Sequence, residues 1–195
     1  MKAKYLIGLG VVLLLVFYGI SVNNGLVTQE EGVEGAWAQV ENQYQRRADL
    51  IPNLVNTVKG AANFEQETLT AVIDARSKAT SVQINASDLN DPAKLAQFQE
   101  AQNQLSGALS RLMVTVERYP ELKANANFRD LQSQLEGTEN RIATERMRFN
   151  NASQSYNTAI RRFPASVIAN LGGFERKAYF EADKGAENAP TVDFN

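Results

Sequence analysis

The side chains best placed to do chemistry fall in two groups. One is Arg46-Arg47-Ala48-Asp49, followed closely by Pro52-Asn53. The other runs through Glu139, Asn140, Arg141, Glu145, Arg146, Asn150 and Asn157. Two guanidinium groups beside a carboxylate, at a helix bend made by Pro52, could recognise an anionic or acidic partner. The simpler reading is internal: an Arg46–Asp49 pair at i,i+3 and a cap for a helix that restarts after the proline. In the second group Asn150 and Asn157 are seven apart, hence on one helix face. Glu145 falls on an otherwise apolar seam, where a lone carboxylate would be costly. It needs a partner, either Arg46 or Arg47, or a protonated or water-bridged state. The group could form a carboxylate–amide pocket for a ligand or cation, but a polar layer fixing helix register is the plainer expectation.

Composition narrows the chemistry further. The 195 residues carry 20 basic and 22 acidic side chains, for a net charge of −2, with no histidine and no cysteine. Disulfides, thiolate or imidazole metal sites, cysteine nucleophiles and histidine-based acid–base pairs are therefore excluded, as is lipid attachment through cysteine. Di-metal bundle sites use Glu-x-x-His pairs and are excluded with them. Asp88, Asn90 and Asp91 offer oxygen ligands but lack the glycine and terminal glutamate of a calcium loop, so they read as turn formers. No phosphate-cradling glycine loop or serine-nucleophile motif is present in the sequence. A carboxylate-dependent hydrolase using Glu139 or Glu145 near Arg46 is the enzymatic option left, and it requires a concave pocket. No catalytic residue, cofactor or metal ligand is assigned, and the charge balance argues against a nucleic-acid partner.

The elements that must position these residues begin with a membrane segment. Tyr5 to Val22 contains no charge, and the next charged residue is Glu30. Eighteen helical residues extend roughly 27 Å, near the thickness of a bilayer core. The run is longer than the apolar core of a typical cleaved signal, despite the small residues around Gly19-Ile20-Ser21. The expectation is a retained single-pass membrane anchor, with the bilayer contacted through residues 5–22. Lys2 and Lys4 precede the anchor and Glu30 and Glu31 follow it, which places the N-terminus in the cytoplasm and the rest outside it. Beyond the anchor, 18 basic face 22 acidic residues, so this part should stand off an anionic surface rather than lie on it.

The remainder shows helical periodicity and no strand-like alternation. Val33, Trp37, Val40, Tyr44, Ala48, Ile51, Val55 and Val58 mark a first segment from about Thr28 to Lys59, kinked or restarted at Pro52 with Asp49 as its cap. A second runs from about Asn63 to Ser81 through Leu69, Val72, Ile73, Arg76 and Ala79. A third repeats Leu95, Phe98, Gln102, Leu105, Leu109, Leu112, Val116 and Tyr119, started by Asp91-Pro92 and stopped by Tyr119-Pro120. The fourth is the clearest: Phe128, Leu131, Leu135, Thr138, Ile142, Glu145, Phe149, Ala152, Tyr156, Ala159 and Phe163. Gly107 and Gly137 lie inside helices, where close helix–helix approach would compensate their low propensity. A short helical turn should follow Phe163-Pro164 and end at Gly172-Gly173. The predicted fold is all-α: a transmembrane helix, then an antiparallel up-and-down bundle of about four long helices. The expected domains are a stub and anchor at 1–26, the bundle at 27–180 and a mostly flexible tail at 181–195, with Val192 and Phe194 as possible tethers.

Three motifs then stand together: Arg46-Arg47-Ala48-Asp49-Leu50-Ile51-Pro52-Asn53-Leu54-Val55, Tyr119-Pro120-Glu121-Leu122-Lys123-Ala124 and Leu135-Glu136-Gly137-Thr138-Glu139-Asn140-Arg141-Ile142. Phe149-Asn150, Tyr156-Asn157 and Phe163-Pro164 follow. With the anchor ahead of them, they resemble the LemA family of bacterial membrane proteins, over nearly the whole chain to about Phe180. Phe149 stands where the family commonly has tyrosine, keeping the ring and losing the hydroxyl. The resemblance implies one anchor and a helical bundle, and it implies no reaction. The expected role is that of a non-enzymatic interaction or scaffold protein, docking envelope proteins or a second copy of itself, with a structural spacer as the alternative.

Overall fold

A computed structural model describes residues 2–60 and 64–181. Six helices occur among them: α1 (Lys2–Lys59), α2 (Gln66–Ser81), α3 (Pro92–Val116), α4 (Pro120–Ala124), α5 (Ala126–Ala159) and α6 (Ala165–Gly172). The expected start of the second helix at Asn63, and the tail beyond Glu181 with Val192 and Phe194, lie outside the described residues. The fold is all-α, as the periodicity predicts.

The apolar run and the first bundle helix are one element. α1 runs unbroken for 58 residues, roughly 87 Å at the ordinary helical rise. The separate start expected near Thr28 does not occur, and no proline intervenes between Val22 and Pro52 to interrupt the helix. From Tyr5 to Tyr18 its large apolar side chains are exposed, and this is the one helix among those described that is long and apolar enough to cross a membrane. From Leu26 onward its apolar positions turn inward, and all eight positions read from the spacing are buried.

Pro52 does not restart the helix either. A proline lacks the N–H that would bond the carbonyl of Ala48, four residues earlier. Arg76 of α2 supplies the missing donor, its Nε lying 2.8 Å from that oxygen. Asp49, expected to cap a new helix, stays within α1 and accepts a hydrogen bond from Gln45 at 2.7 Å.

α1 packs mainly on α5 and α2 on α3, with α1 and α2 joining the two pairs. The α1–α5 register is antiparallel: Trp37 meets Phe149 with ring centroids 5.5 Å apart, and ten residues further along α1 Arg47 meets Glu139, ten residues back along α5. Two apolar clusters fill the interior. The lower one, nearer the exposed end of α1, gathers Leu26, Trp37, Phe98, Phe149, Tyr156 and Phe180; the upper gathers Leu54, Leu69, Leu105, Leu112 and Phe128. Asp91 caps α3 by accepting from the Ala93 and Lys94 amides. Asp88 accepts from Lys94 and the Asn85 amide, which together hold its carboxyl below the usual range, the lysine contribution being larger. These residues thus perform the turn chemistry expected of them.

Three further expectations fail. A Cβ built on Gly107 or Gly137 meets nothing within 4 Å, so neither glycine serves a close helix approach; both face outward. Phe163, the eleventh seam position, lies beyond the end of α5 and is 84 % exposed. Ile73 is also exposed, because Val72 takes the buried position beside it.

Candidate functional site

Arg47 organises the middle of the bundle. Its side chain is only 1 % exposed. Nη1 donates to Glu139 Oε1 on α5 at 2.6 Å and to Ser106 Oγ on α3 at 2.7 Å. Nη2 donates to Gln102 Oε1 at 2.6 Å and to the Gln102 carbonyl at 3.3 Å. Gln102 passes the link on, its amide donating to the Ala79 carbonyl on α2 at 3.1 Å. The guanidinium also lies 5.2 Å from the centre of the Tyr44 ring. One buried cation therefore ties all four long helices together, with fixed angles that a shift of register along any of them would break.

The other predicted residues take different places. Arg46, Asp49, Asn53 and Arg141 are exposed. The Asn53 carbonyl accepts from the Thr57 hydroxyl at 2.8 Å. Glu145 is partly buried and does acquire a partner, but that partner is Arg148 on its own helix at 2.8 Å. Neither Arg46 nor Arg47 reaches it: Glu145 lies six residues further along α5 than Glu139, closer to the apolar N-terminal end of α1.

Asn150 and Asn157 serve the chain's own backbone. After α6 the residues from Phe174 to Glu181 run extended against the bundle. Asn157 Nδ2 donates to the Lys177 carbonyl at 2.8 Å while the Lys177 amide donates to Asn157 Oδ1 at 2.9 Å. Asn150 makes the same two bonds with Phe180, at 3.0 and 2.9 Å. Gln99 of α3 repeats the pattern on Glu181, at 2.9 and 3.3 Å. Three side-chain amides thus imitate a neighbouring strand. Between these bonds Phe180 drops into the aromatic cluster, stacked on Trp37 at 5.9 Å. Lys177 is buried and pairs with Glu30 of α1 at 2.7 Å. Tyr156 donates to the same carboxylate at 3.4 Å; burial, and then the Glu30 charge, push its hydroxyl pKa up. Glu30 is the first charge after the apolar run, so this pair lies in the part of the bundle nearest that run. Sequence reasoning missed Gln99 and Lys177, whose partners are 82 and 147 residues away in the chain. The paired Phe-Asn and Tyr-Asn steps were the only local signal.

A groove opens between α3 and α5. One hollow, about 340 Å³, is lined by Leu109, Met113 and Leu135 with Ser106, Glu136 and Glu139. A second, about 300 Å³, lies on the other side of Glu139, towards Ile142 and Arg146. Glu139 is 42 % exposed at the rim between them. Both carboxylates that a hydrolase would use are engaged by arginines, Glu139 by Arg47 and Glu145 by Arg148. No cluster of three or more acidic side chains suited to a metal ion occurs among the described residues. What the arrangement offers is a shaped, mixed polar and apolar surface on a rigid frame.

Comparison with known proteins finds a matching family and several relatives. A family model described as the LemA family matches residues 36–194. The magnetosome protein MamQ of Magnetospirillum gryphiswaldense is 28 % identical over 185 residues, covering 87 % of this chain and 68 % of the relative. The protein LemA of Metamycoplasma hominis is 23 % identical over 171 residues, covering 87 % and 74 %.

Proposed function

The chain belongs to the LemA family, and from that premise we propose that it is a membrane-anchored, non-enzymatic scaffold of the bacterial envelope. In this reading residues 5–22 cross the cytoplasmic membrane once, Lys2 and Lys4 stay in the cytoplasm, and the bundle stands on the opposite side. The bundle offers the α3–α5 groove to an envelope protein or to a second copy of the chain. The observation that carries the proposal is the continuity of α1. A helix that leaves the bilayer and becomes the first helix of a bundle without a linker transmits position and orientation, which suits a docking platform. Neither the family description nor the names of the relatives specify an enzyme.

A photo-reactive side chain at Met113, in the groove, tests the docking role in intact membranes at native expression. A single defined adduct, to another protein or to the chain itself, is expected; a smear of random neighbours would contradict it. Protease added outside spheroplasts should digest the bundle, and its survival would reverse the orientation.

A structural spacer is the second reading, favoured by the Arg47 layer that locks all four long helices. It predicts that substitutions lining the groove leave envelope phenotypes unchanged.

A further inference from the structure

α6 carries apolar side chains on two sides. One side is used: Ala169 is buried in the lower cluster, and Ile168 reaches α1, where its Cδ1 lies 3.6 Å from the place a Cβ on Gly19 would occupy. The C-terminal end also lies against α1, with Asn23 Oδ1 3.7 Å from the equivalent position on Gly172. The other side is open. Val167 and Leu171, one helical turn apart, are 50 % and 82 % exposed, and Phe163 just before the helix is exposed too. Arg161 and Arg162, immediately upstream, face solvent.

The height of this patch identifies what covers it. Gly19 lies three residues before Val22, the end of the apolar run, so Ile168 reaches α1 roughly 4.5 Å inside that end. An in-plane amphipathic helix buries its apolar face about 5–10 Å into the boundary between headgroups and acyl chains. The open face of α6 is therefore continuous with the lipid-facing surface of α1 and at the depth an interfacial helix occupies. Three large apolar side chains clustered at that level would form an exposed patch in water without purpose. The two arginines suit lipid phosphates at the same boundary.

We propose that α6 is a second membrane-contacting element, lying in the interface of the leaflet nearest the bundle with Phe163, Val167 and Leu171 inserted and Arg161 and Arg162 at the phosphates. The inference rests on the reading of residues 5–22 as a bilayer span. A single span leaves a bundle free to rotate and tilt about one axis; a second contact beside it fixes both, so the groove faces one direction relative to the membrane.

The chain has no cysteine, so single cysteines can be introduced and labelled with a polarity-sensitive fluorophore at Leu14, Val167, Leu171 and Gln39, all exposed positions. The full-length variants are placed in phosphatidylethanolamine–phosphatidylglycerol vesicles containing lipids quenched either near the headgroup or near the acyl terminus. Circular dichroism confirms that each variant keeps its helices. Leu14 should be quenched by the deep lipid. Val167 and Leu171 should be quenched several-fold more by the shallow lipid than by the deep one, and Gln39 by neither. If Val167 and Leu171 behave like Gln39 while Leu14 is quenched, the α6 proposal fails and the anchor stands. If Leu14 is not quenched, the anchor reading itself fails and takes this proposal with it.

Discussion

Arg76 Nε donates at 2.8 Å to the carbonyl of Ala48, the one acceptor in α1 that Pro52 deprives of its helical donor. The bond lets a proline lie within a long helix without breaking it, and it joins α2 to α1 at the same point. Removing Arg76 should leave a poorly satisfied carbonyl and cost about 1–3 kcal/mol. Pro52→Ala restores the N–H, so Arg76→Met should cost markedly less in that background, with a coupling of about 1 kcal/mol. Chemical unfolding of the four proteins in detergent measures the cycle; equal losses in both backgrounds would show that the two residues act independently.

The Arg47–Glu139 pair is lopsided, one partner buried and the other near half exposed. Arg47→Ala strips a donor from Gln102, Ser106 and Glu139 and opens a cavity, so it should cost about 3 kcal/mol or more. Glu139→Gln keeps an acceptor at a solvent-screened rim and should cost about 1 kcal/mol or less. The reverse order in unfolding midpoints would mean that the carboxylate, not the guanidinium, holds the layer.

The amide clamp makes the stretch from Phe174 to Glu181 depend on side chains far away in sequence. Asn157→Leu removes both bonds to Lys177. Hydrogen exchange at the Lys177 amide should then rise about tenfold or more, corresponding to at least about 1.4 kcal/mol of lost protection. Amides in the middle of α5 should be unchanged. Unaltered exchange at Lys177 would show that Phe180 packing alone holds the segment.

Gly137 and Gly107 have open space where a Cβ would go. Alanine at either should stabilise the protein by about 0.4–1 kcal/mol, because the unfolded chain loses more freedom than the helix does. Destabilisation in thermal unfolding would mean that a partner, or a second copy, packs on that face.

The helices and their buried faces were legible because spacing is local information. Every seam position read in α3 from Leu95 to Val116 is buried, and so are all eight read in α1. What the spacing lacked was the identity of partners. Arg47 and Arg46 are neighbours, yet a rotation of one residue sends the first into the core and the second to solvent. Asn150 and Asn157 could be placed on one face, but nothing local shows that the chain returns to bind them. The unity of α1 was visible in principle, since residues 23–51 contain no proline. The change from all-round apolar to one-sided patterning marks a change of surroundings and not the end of a helix.

The central claim is that the helix leaving the bilayer is the same rigid rod that founds the bundle. Spin labels on cysteines placed at Phe17 and Gly35, both exposed and five helical turns apart, test it in lipid nanodiscs. A continuous helix predicts one narrow distance distribution near about 27 Å. A broad distribution, or one shifted well below that value, would reveal a hinge between the apolar run and the bundle and contradict the account.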